Sequence, residues 1–193
     1  MGKVTFVISM SLDGFVTASN QTRENPMGDG GDQLNEWAFG SDETNRQFME
    51  GAVDRLGAVI AGRRTYDHSV PWWGADGPTG SARRPVFVLT HEAPADSPEA
   101  GVYTFVTGGL EAALAQARVV AGDHDVTIMG GADIGRQYLA AGMVDEIQIH
   151  LVPVLFGTGT PMFDSLHNGH IQLEAVDILP TPSATHLRYR ILR

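Results

Sequence analysis

Two short stretches carry residue types that could grip an anion. Val126-Thr127-Ile128-Met129-Gly130-Gly131-Ala132-Asp133-Ile134-Gly135 reads as an apolar strand, two glycines and then a helix carrying Tyr138 and Leu139. A Gly-Gly turn lets backbone approach a ligand closely, and a helix N-terminus offers free N–H groups and the positive end of its dipole to a phosphate. Ala58-Val59-Ile60-Ala61-Gly62-Arg63-Arg64-Thr65 is a second strand ending in glycine, two arginines and a threonine. Together they predict a two-sided clamp for an anionic nucleotide. Taken singly, Gly130-Gly131 reads equally as a plain strand-to-helix turn and Arg63-Arg64 as a solvated loop pair. A regular dinucleotide-binding βαβ domain is not expected. Ala132 stands where G-x-G-x-x-G has its second glycine, and no acid falls about 20 positions further on.

These stretches need a frame. Lys3 to Ser9 reads as a strand, followed by the turn Ser11-Leu12-Asp13-Gly14 and the pair Phe15-Val16. Residues 17–32 are polar and form a long loop. Leu34, Trp37 and Ala38 have helical spacing, and Ser41 or Asp42 caps a second helical run using Phe48, Met49, Ala52, Val53 and Leu56. Residues 57–62 are a buried strand, and residues 71–85 a loop of breakers displaying Trp72 and Trp73. Strands at 86–90 and 102–106 flank a loop at 93–101. Leu110, Leu114, Ala117 and Ala121 mark an amphipathic helix. Beyond the Gly-Gly turn the pattern changes: Ile147, Ile149 and Leu151 alternate with polar residues, as do Leu187, Tyr189 and Ile191. Long alternating strands with no helix between them predict antiparallel pairing at a sheet edge. The expected fold is α/β, a mixed, mostly parallel sheet flanked by helices, with an antiparallel C-terminal hairpin.

Composition narrows the function classes. The 193 residues fit one domain, 1–193, able to bury about 70% of its unfolded surface. With 42% hydrophobic and 19% charged residues this is an ordinary globule. No apolar run approaches the roughly 20 residues of a membrane span, and the N-terminus runs directly into a strand with no leader pattern. There are no cysteines, hence no disulfide framework or thiol chemistry. A cytoplasmic protein is expected. The net charge of −10 argues against nucleic-acid or membrane partners. It also sets off the local positive cluster Arg63, Arg64, Arg83 and Arg84. The single lysine, Lys3, lies in the first strand, which nearly excludes Schiff-base chemistry.

Five motifs occur in one order: Ser9-Met10-Ser11-Leu12-Asp13-Gly14-Phe15-Val16, Gly62-Arg63-Arg64-Thr65-Tyr66, Phe87-Val88-Leu89-Thr90, Met129-Gly130-Gly131-Ala132-Asp133-Ile134 and Asp145-Glu146-Ile147. The series resembles the dihydrofolate-reductase-like superfamily, and within it the group named for the C-terminal reductase domain of the bifunctional riboflavin-biosynthesis deaminase/reductase. The resemblance covers essentially the whole chain and implies an eight-stranded mixed sheet, NADPH as cofactor, and a homodimer. It implies that Gly130, Gly131, Ala132, Asp133 and Ile134 receive the pyrophosphate. Arg63, Arg64 and Thr65 match the grip on pyrophosphate and 2′-phosphate, where a guanidinium fork suits the phosphate. Thr90 and His91 match the adenosine side, and Ile8, Ser9 and Val16 the nicotinamide. Where the riboflavin reductase proper carries a threonine-valine, paired-aspartate and proline segment, this chain has Arg63-Arg64-Thr65-Tyr66-Asp67 and then Pro71-Trp72-Trp73-Gly74.

The substrate half is less determined. True dihydrofolate reductases carry a buried carboxylate on the first helix; Asp32, Glu36, Asp42 and Glu43 all lie near enough here, or are simply solvated helix-end acids. Asp13 either accepts a turn hydrogen bond or faces the substrate as the first choice of proton donor. Trp72 and Trp73 either stack on a heterocycle or cover the sheet end. Gly157-Thr158-Gly159-Thr160-Pro161 turns the chain, with a place along the cleft also open to it. Ser9, Ser11 and Ser41 lie in no nucleophile-elbow pattern. His167 and His170 read as surface histidines rather than a metal pair, for lack of a third ligand. The resulting expectation is an NADPH-dependent reductase of a small heterocycle, an aminopyrimidine-ribose or a pterin. The alternatives are a non-catalytic nucleotide-binding domain and a strict dihydrofolate reductase.

Overall fold

The computed structural model describes residues 2–164 and 169–193. In chain order the strands are β1 (Val4–Ser11), β2 (Phe15–Thr17), β3 (Leu56–Gly62), β4 (Val86–Leu89), β5 (Tyr103–Val106), β6 (Asp125–Met129), β7 (Glu146–Val152), β8 (Thr160–Pro161), β9 (Leu173–Pro180) and β10 (Thr185–Ile191). The helices are α1 (Glu36–Phe39), α2 (Glu43–Arg55), α3 (Arg63–Trp73), α4 (Gly109–Ala121) and α5 (Ala132–Ala140). Eight strands form one sheet in the order β5-β4-β3-β6-β1-β7-β10-β9, while β2 and β8 make a separate pair. Strands β5 through β7 run parallel, and β10 pairs antiparallel with both β7 and β9. The mixed, mostly parallel sheet with an antiparallel C-terminal hairpin is therefore present.

Alternation along β1 sorts its side chains onto two faces. Val4, Phe6 and Met10 join Ile60, Ile128, Ile147 and Ile149 in a core closed by Leu114 and Ala117 of α4 and by Ile134, Tyr138 and Leu139 of α5. Gly135 lets α5 settle directly on this core: a Cβ there would stand 2.2 Å from Cζ of Phe6. The opposite face meets α3 through Val59, Ala61, Tyr66 and Val88, and meets the 3₁₀ segment Gly31–Leu34, α1 and α2 through Leu34, Trp37 and Phe48. Helix α2 starts where the Asp42 carboxylate accepts the Asn45 N–H at 2.9 Å. Its last turn holds Arg55, suited to the negative end of the dipole.

Three elements differ from the sequence reading. The stretch expected to be loop from residue 71 is the last turn of α3, with Pro71 inside the helix and Gly74, at φ 54°, ending it. Gly77–Ala82 then forms a 3₁₀ segment. Proline removes one hydrogen bond but does not prevent a helix from running a few residues past it when the end is near. Strand β7 is not at an edge: it lies between β1 and β10, buried on both faces, so Gln148 and His150 are inside although they occupy the polar half of the alternation. The outer edge is β9, which period alone did not reveal because it is exposed on both faces. Its Ile178 is 56% exposed, and this edge is where the expectation of a homodimer rests.

Candidate active site

The two stretches that could grip an anion come together. Strands β3 and β6 are parallel neighbours, with Ala61 opposite Met129, so the loops that leave them emerge side by side. Helix α3 begins at Arg63 after Gly62, and α5 at Ala132 after Gly131; neither has a side-chain cap. The first N–H groups of two helices are thus left for another acceptor, with both positive dipole ends beside them. Thr65 joins the pair by accepting the Gly131 N–H at 3.2 Å. Glycine is required at 130: φ is +113°, and a Cβ would stand 2.2 Å from the Thr65 hydroxyl.

The arginines divide their work. Arg63 donates from Nε to Asp67 at 2.7 Å, and from one terminal nitrogen to the Thr90 hydroxyl at 3.3 Å and the Glu92 carbonyl at 2.7 Å. It fastens α3 to the end of β4, bringing Thr90 and the exposed His91 alongside. Arg64 is exposed and free of protein partners among the described residues. The pair is neither wholly solvated nor wholly committed. Asp133 is exposed and pairs with Arg136 at 2.6 Å, while Ala132 and Ile134 turn their side chains inward and offer only backbone outward. Arg136 also reaches Asp164, tying α5 to the segment after β8.

Ile8 and Ser9 stand half-buried at the end of β1, and Val16 is buried in β2. Asp13 sits in the turn between them. Its carboxylate accepts the Ser11 hydroxyl at 2.6 Å, the Phe156 N–H at 3.1 Å and the Gly157 N–H at 2.7 Å. The Ser11 hydroxyl bond and these N–H donors hold its pKa below the ordinary carboxylate value. Of the two roles open to Asp13, the bonds describe the structural one: it fastens the β1–β2 turn to the loop 156–157. Trp72 is exposed at 76%, on the last turn of α3.

Sequence reasoning missed the buried polar group on the α2 side. None of Asp32, Glu36, Asp42 or Glu43 is buried; Asp42 is the α2 cap, and Glu43 pairs with Arg46 and Gln47. On the buried side of α2 stands Asn45, whose amide donates to Ser183 at 2.9 Å and whose oxygen faces His186 Nε2 at 2.8 Å. Nδ1 of His186 lies 2.7 Å from Nδ1 of His150. The chain of partners sets the tautomers: His186 donates from Nε2 to Asn45, so its Nδ1 accepts from His150. Burial, with the neighbouring imidazole, pushes His150 down to about 3; burial also lowers His186. Phe48 stacks on His186 at 4.3 Å, and Trp37 packs on His150 at 4.2 Å while donating to the Ser9 hydroxyl at 3.1 Å. His150 and His186 share one parity on their strands, but it is the polar half of the alternation, so period alone gave no sign that they are buried.

Among the described residues no group of histidines and carboxylates is placed to hold a metal, and no helix is long and apolar enough to cross a membrane. His167 lies outside the described residues; His170 is exposed.

The profile of the RibD C-terminal domain matches residues 2–187. The chain belongs to the RibD C-terminal domain family. Among curated sequences it is 28% identical over 169 residues to the uncharacterized protein YwjB of Bacillus subtilis (strain 168), covering 86% of this chain and 85% of that one. Among solved structures it is similar to a protein described as a riboflavin-biosynthesis candidate from Shewanella sp. PV-4, with a TM-score of 0.72, 23% identity and 99% of each chain covered. It is also similar to dihydrofolate reductase of Enterococcus faecalis in complex with NADP(H), with a TM-score of 0.63, 16% identity, and 98% of this chain and 96% of that one covered. The RibD C-terminal fold is thus the dihydrofolate-reductase-like fold, as the five motifs implied.

Proposed function

We propose that this RibD C-terminal-type domain is an NADPH-dependent reductase acting on a small heterocycle of the aminopyrimidine or pterin class. Its family and its reductase-like structural neighbours support a riboflavin-pathway pyrimidine-reductase type of role. One observation carries the cofactor reading: two uncapped helix N-termini, at the ends of adjacent parallel strands, are bridged by Thr65 and Gly131. That arrangement fits a pyrophosphate, since neither helix start has a side-chain cap and the first N–H groups of both helices face the same place. Arg64, exposed and without a partner among the described residues, is the guanidinium available to a 2′-phosphate; Arg63 holds the β4 end in place.

When bound, NADPH supplies the hydride, and the protein supplies orientation and electrostatics. Ser9, held by Trp37, and the β1–β2 turn, held by Asp13, fix the edge at which a substrate would meet the nicotinamide. Asp13 stays a carboxylate near neutral pH, so in this reading it positions the 154–157 loop and delivers no proton. Replacement Asp13→Asn then lowers turnover without moving either limb of the pH–rate profile; a displaced limb would restore it as the proton donor.

The test is a fluorescence titration with NADPH and NADH. The wild type should prefer NADPH, and Arg64→Ala should weaken NADPH by about tenfold to a hundredfold while leaving NADH nearly unchanged. Equal losses for both would remove the 2′-phosphate role. A second reading, a nucleotide-binding domain without turnover, draws on Asn45 occupying the buried polar place on α2 with no buried acid beside it. Tight NADPH binding with no oxidation across pterin, aminopyrimidine and carbonyl substrates would favour it. Antifolate-sensitive dihydrofolate turnover would instead favour a strict dihydrofolate reductase.

A further inference from the structure

The face of the sheet beneath α2 carries a row of side chains that nothing so far has used. Strand register places Thr127 beside Thr5, Val7 beside Gln148, and Gln148 beside Arg188, all on one face. Helix α2 does not fill the space above them. Two adjoining hollows open there, one of about 140 Å³ and one of about 150 Å³, and Phe48, Arg55, Gln148 and Arg188 line both.

The polar groups along these hollows are short of partners. Gln148 is only 7% exposed, yet its side-chain amide has no hydrogen-bond partner among the described residues. Nε of Arg188 is buried and unpartnered, and the guanidinium reaches Asp177 only at 3.9 Å. Arg55, at the end of α2, has no ion-pair partner among the described residues. The carboxylate at the far end, Asp125, accepts the Lys3 backbone N–H at 2.8 Å. A buried donor left without an acceptor, as Arg188 Nε is, costs stability, and such a group can mark a place where a ligand completes the set. The floor beside them includes Val7, Val59 and Met129 of the sheet, with Ala52 of α2 above.

We infer that this cleft is a second ligand site, taking a small carboxylate with a flat apolar body. The carboxylate meets Arg188 Nε, the Gln148 amide and Arg55, while the body lies between Phe48 and the valines. Its size suits a single ring: a cavity of about 150 Å³ holds benzene. The site is separate from the proposed cofactor grip. It reaches the beginnings of β1, β3 and β6 at Thr5, Leu56 and Asp125, and touches the opposite ends of those strands, where the grip lies, only at Met129. It stands whether or not the chain reduces anything.

The probe is benzoate, titrated into ¹⁵N-labelled protein without nicotinamide cofactor and followed by amide shifts. The expected result is a saturable shift of the Gln148 side-chain amide and of the Gly51 and Ala52 backbone amides. Gln148→Leu and Arg188→Met should each weaken binding about tenfold, as loss of a charge-assisted bond would. Arg55→Met, at an exposed position on the last turn of α2, should weaken it severalfold. Benzyl alcohol should bind much more weakly than benzoate. The inference is overturned if the shifts do not saturate, if they centre on residues 63–65 and 130–134, if Arg55→Met leaves benzoate affinity unchanged, or if benzyl alcohol binds as well as benzoate.

Discussion

On one face of the central strands, Val4, Phe6, Ile128, Ile147 and Ile149 meet the apolar side chains of α4 and α5. On the other face of those same strands, Thr5, Thr127, Gln148 and His150 stand under α2, with His186 and Arg188 beside them on β10. One face is packed as an interior. The other is hydrogen-bonded in its upper part and hollow in its lower part. The difference separates what holds the sheet together from what the sheet is available to do: apolar packing carries the stability, and polar groups are retained where geometry rather than burial is needed.

The packed face should be the sensitive one. Phe6 is fully buried against Gly135, so Phe6→Ala should cost about 3–5 kcal/mol in urea unfolding. A loss below about 1 kcal/mol would break the contrast between the faces.

The hydrogen-bonded part should reveal itself through pH. In the unfolded chain His150 and His186 titrate near 6.5, whereas in the folded chain both are held lower, His150 at about 3. Below about pH 6.5 the unfolded state takes up protons that the folded state refuses, so stability falls as pH falls. The slope contributed by each histidine held neutral approaches 1.4 kcal/mol per pH unit, continuing toward pH 3 for His150. His150→Gln should flatten the slope between about pH 6 and pH 4. An unchanged slope would mean that the pair carries no linkage.

The hollow part should be nearly silent. The Thr127 hydroxyl has no hydrogen-bond partner among the described residues, so Thr127→Val should change stability by less than about 1 kcal/mol. A larger loss would show that the polar row is structural after all.

The packed face was legible in the sequence because its signals are local. A run of valines and isoleucines, a Gly-Gly turn and an i, i+4, i+7 helix each announce themselves within a dozen residues. The cofactor grip was legible for the same reason: Gly62 to Thr65 and Gly130 to Ile134 are contiguous motifs. The α2 side was not, because Asn45, His150 and His186 meet only through the pairing of β7 with β10 and the passage of α2 above them. Alternation suggested one wet face on those strands, and burial on both faces came from tertiary packing. Strand β9, exposed on both faces, left no period to read.

The position of β1 has a consequence for how the chain is made. It is synthesised ahead of the other strands of its sheet, yet Val4 must wait for Val126 and Thr5 for Glu146 before its two edges are paired. Through most of translation an apolar eight-residue segment therefore has no partner strand, the condition under which nascent chains associate wrongly. Slow synthesis lengthens that interval, and a chain cut short before β7 never ends it. The strand that brings Ser9 to the site is made before its neighbours in the sheet and is among the last to be sheltered.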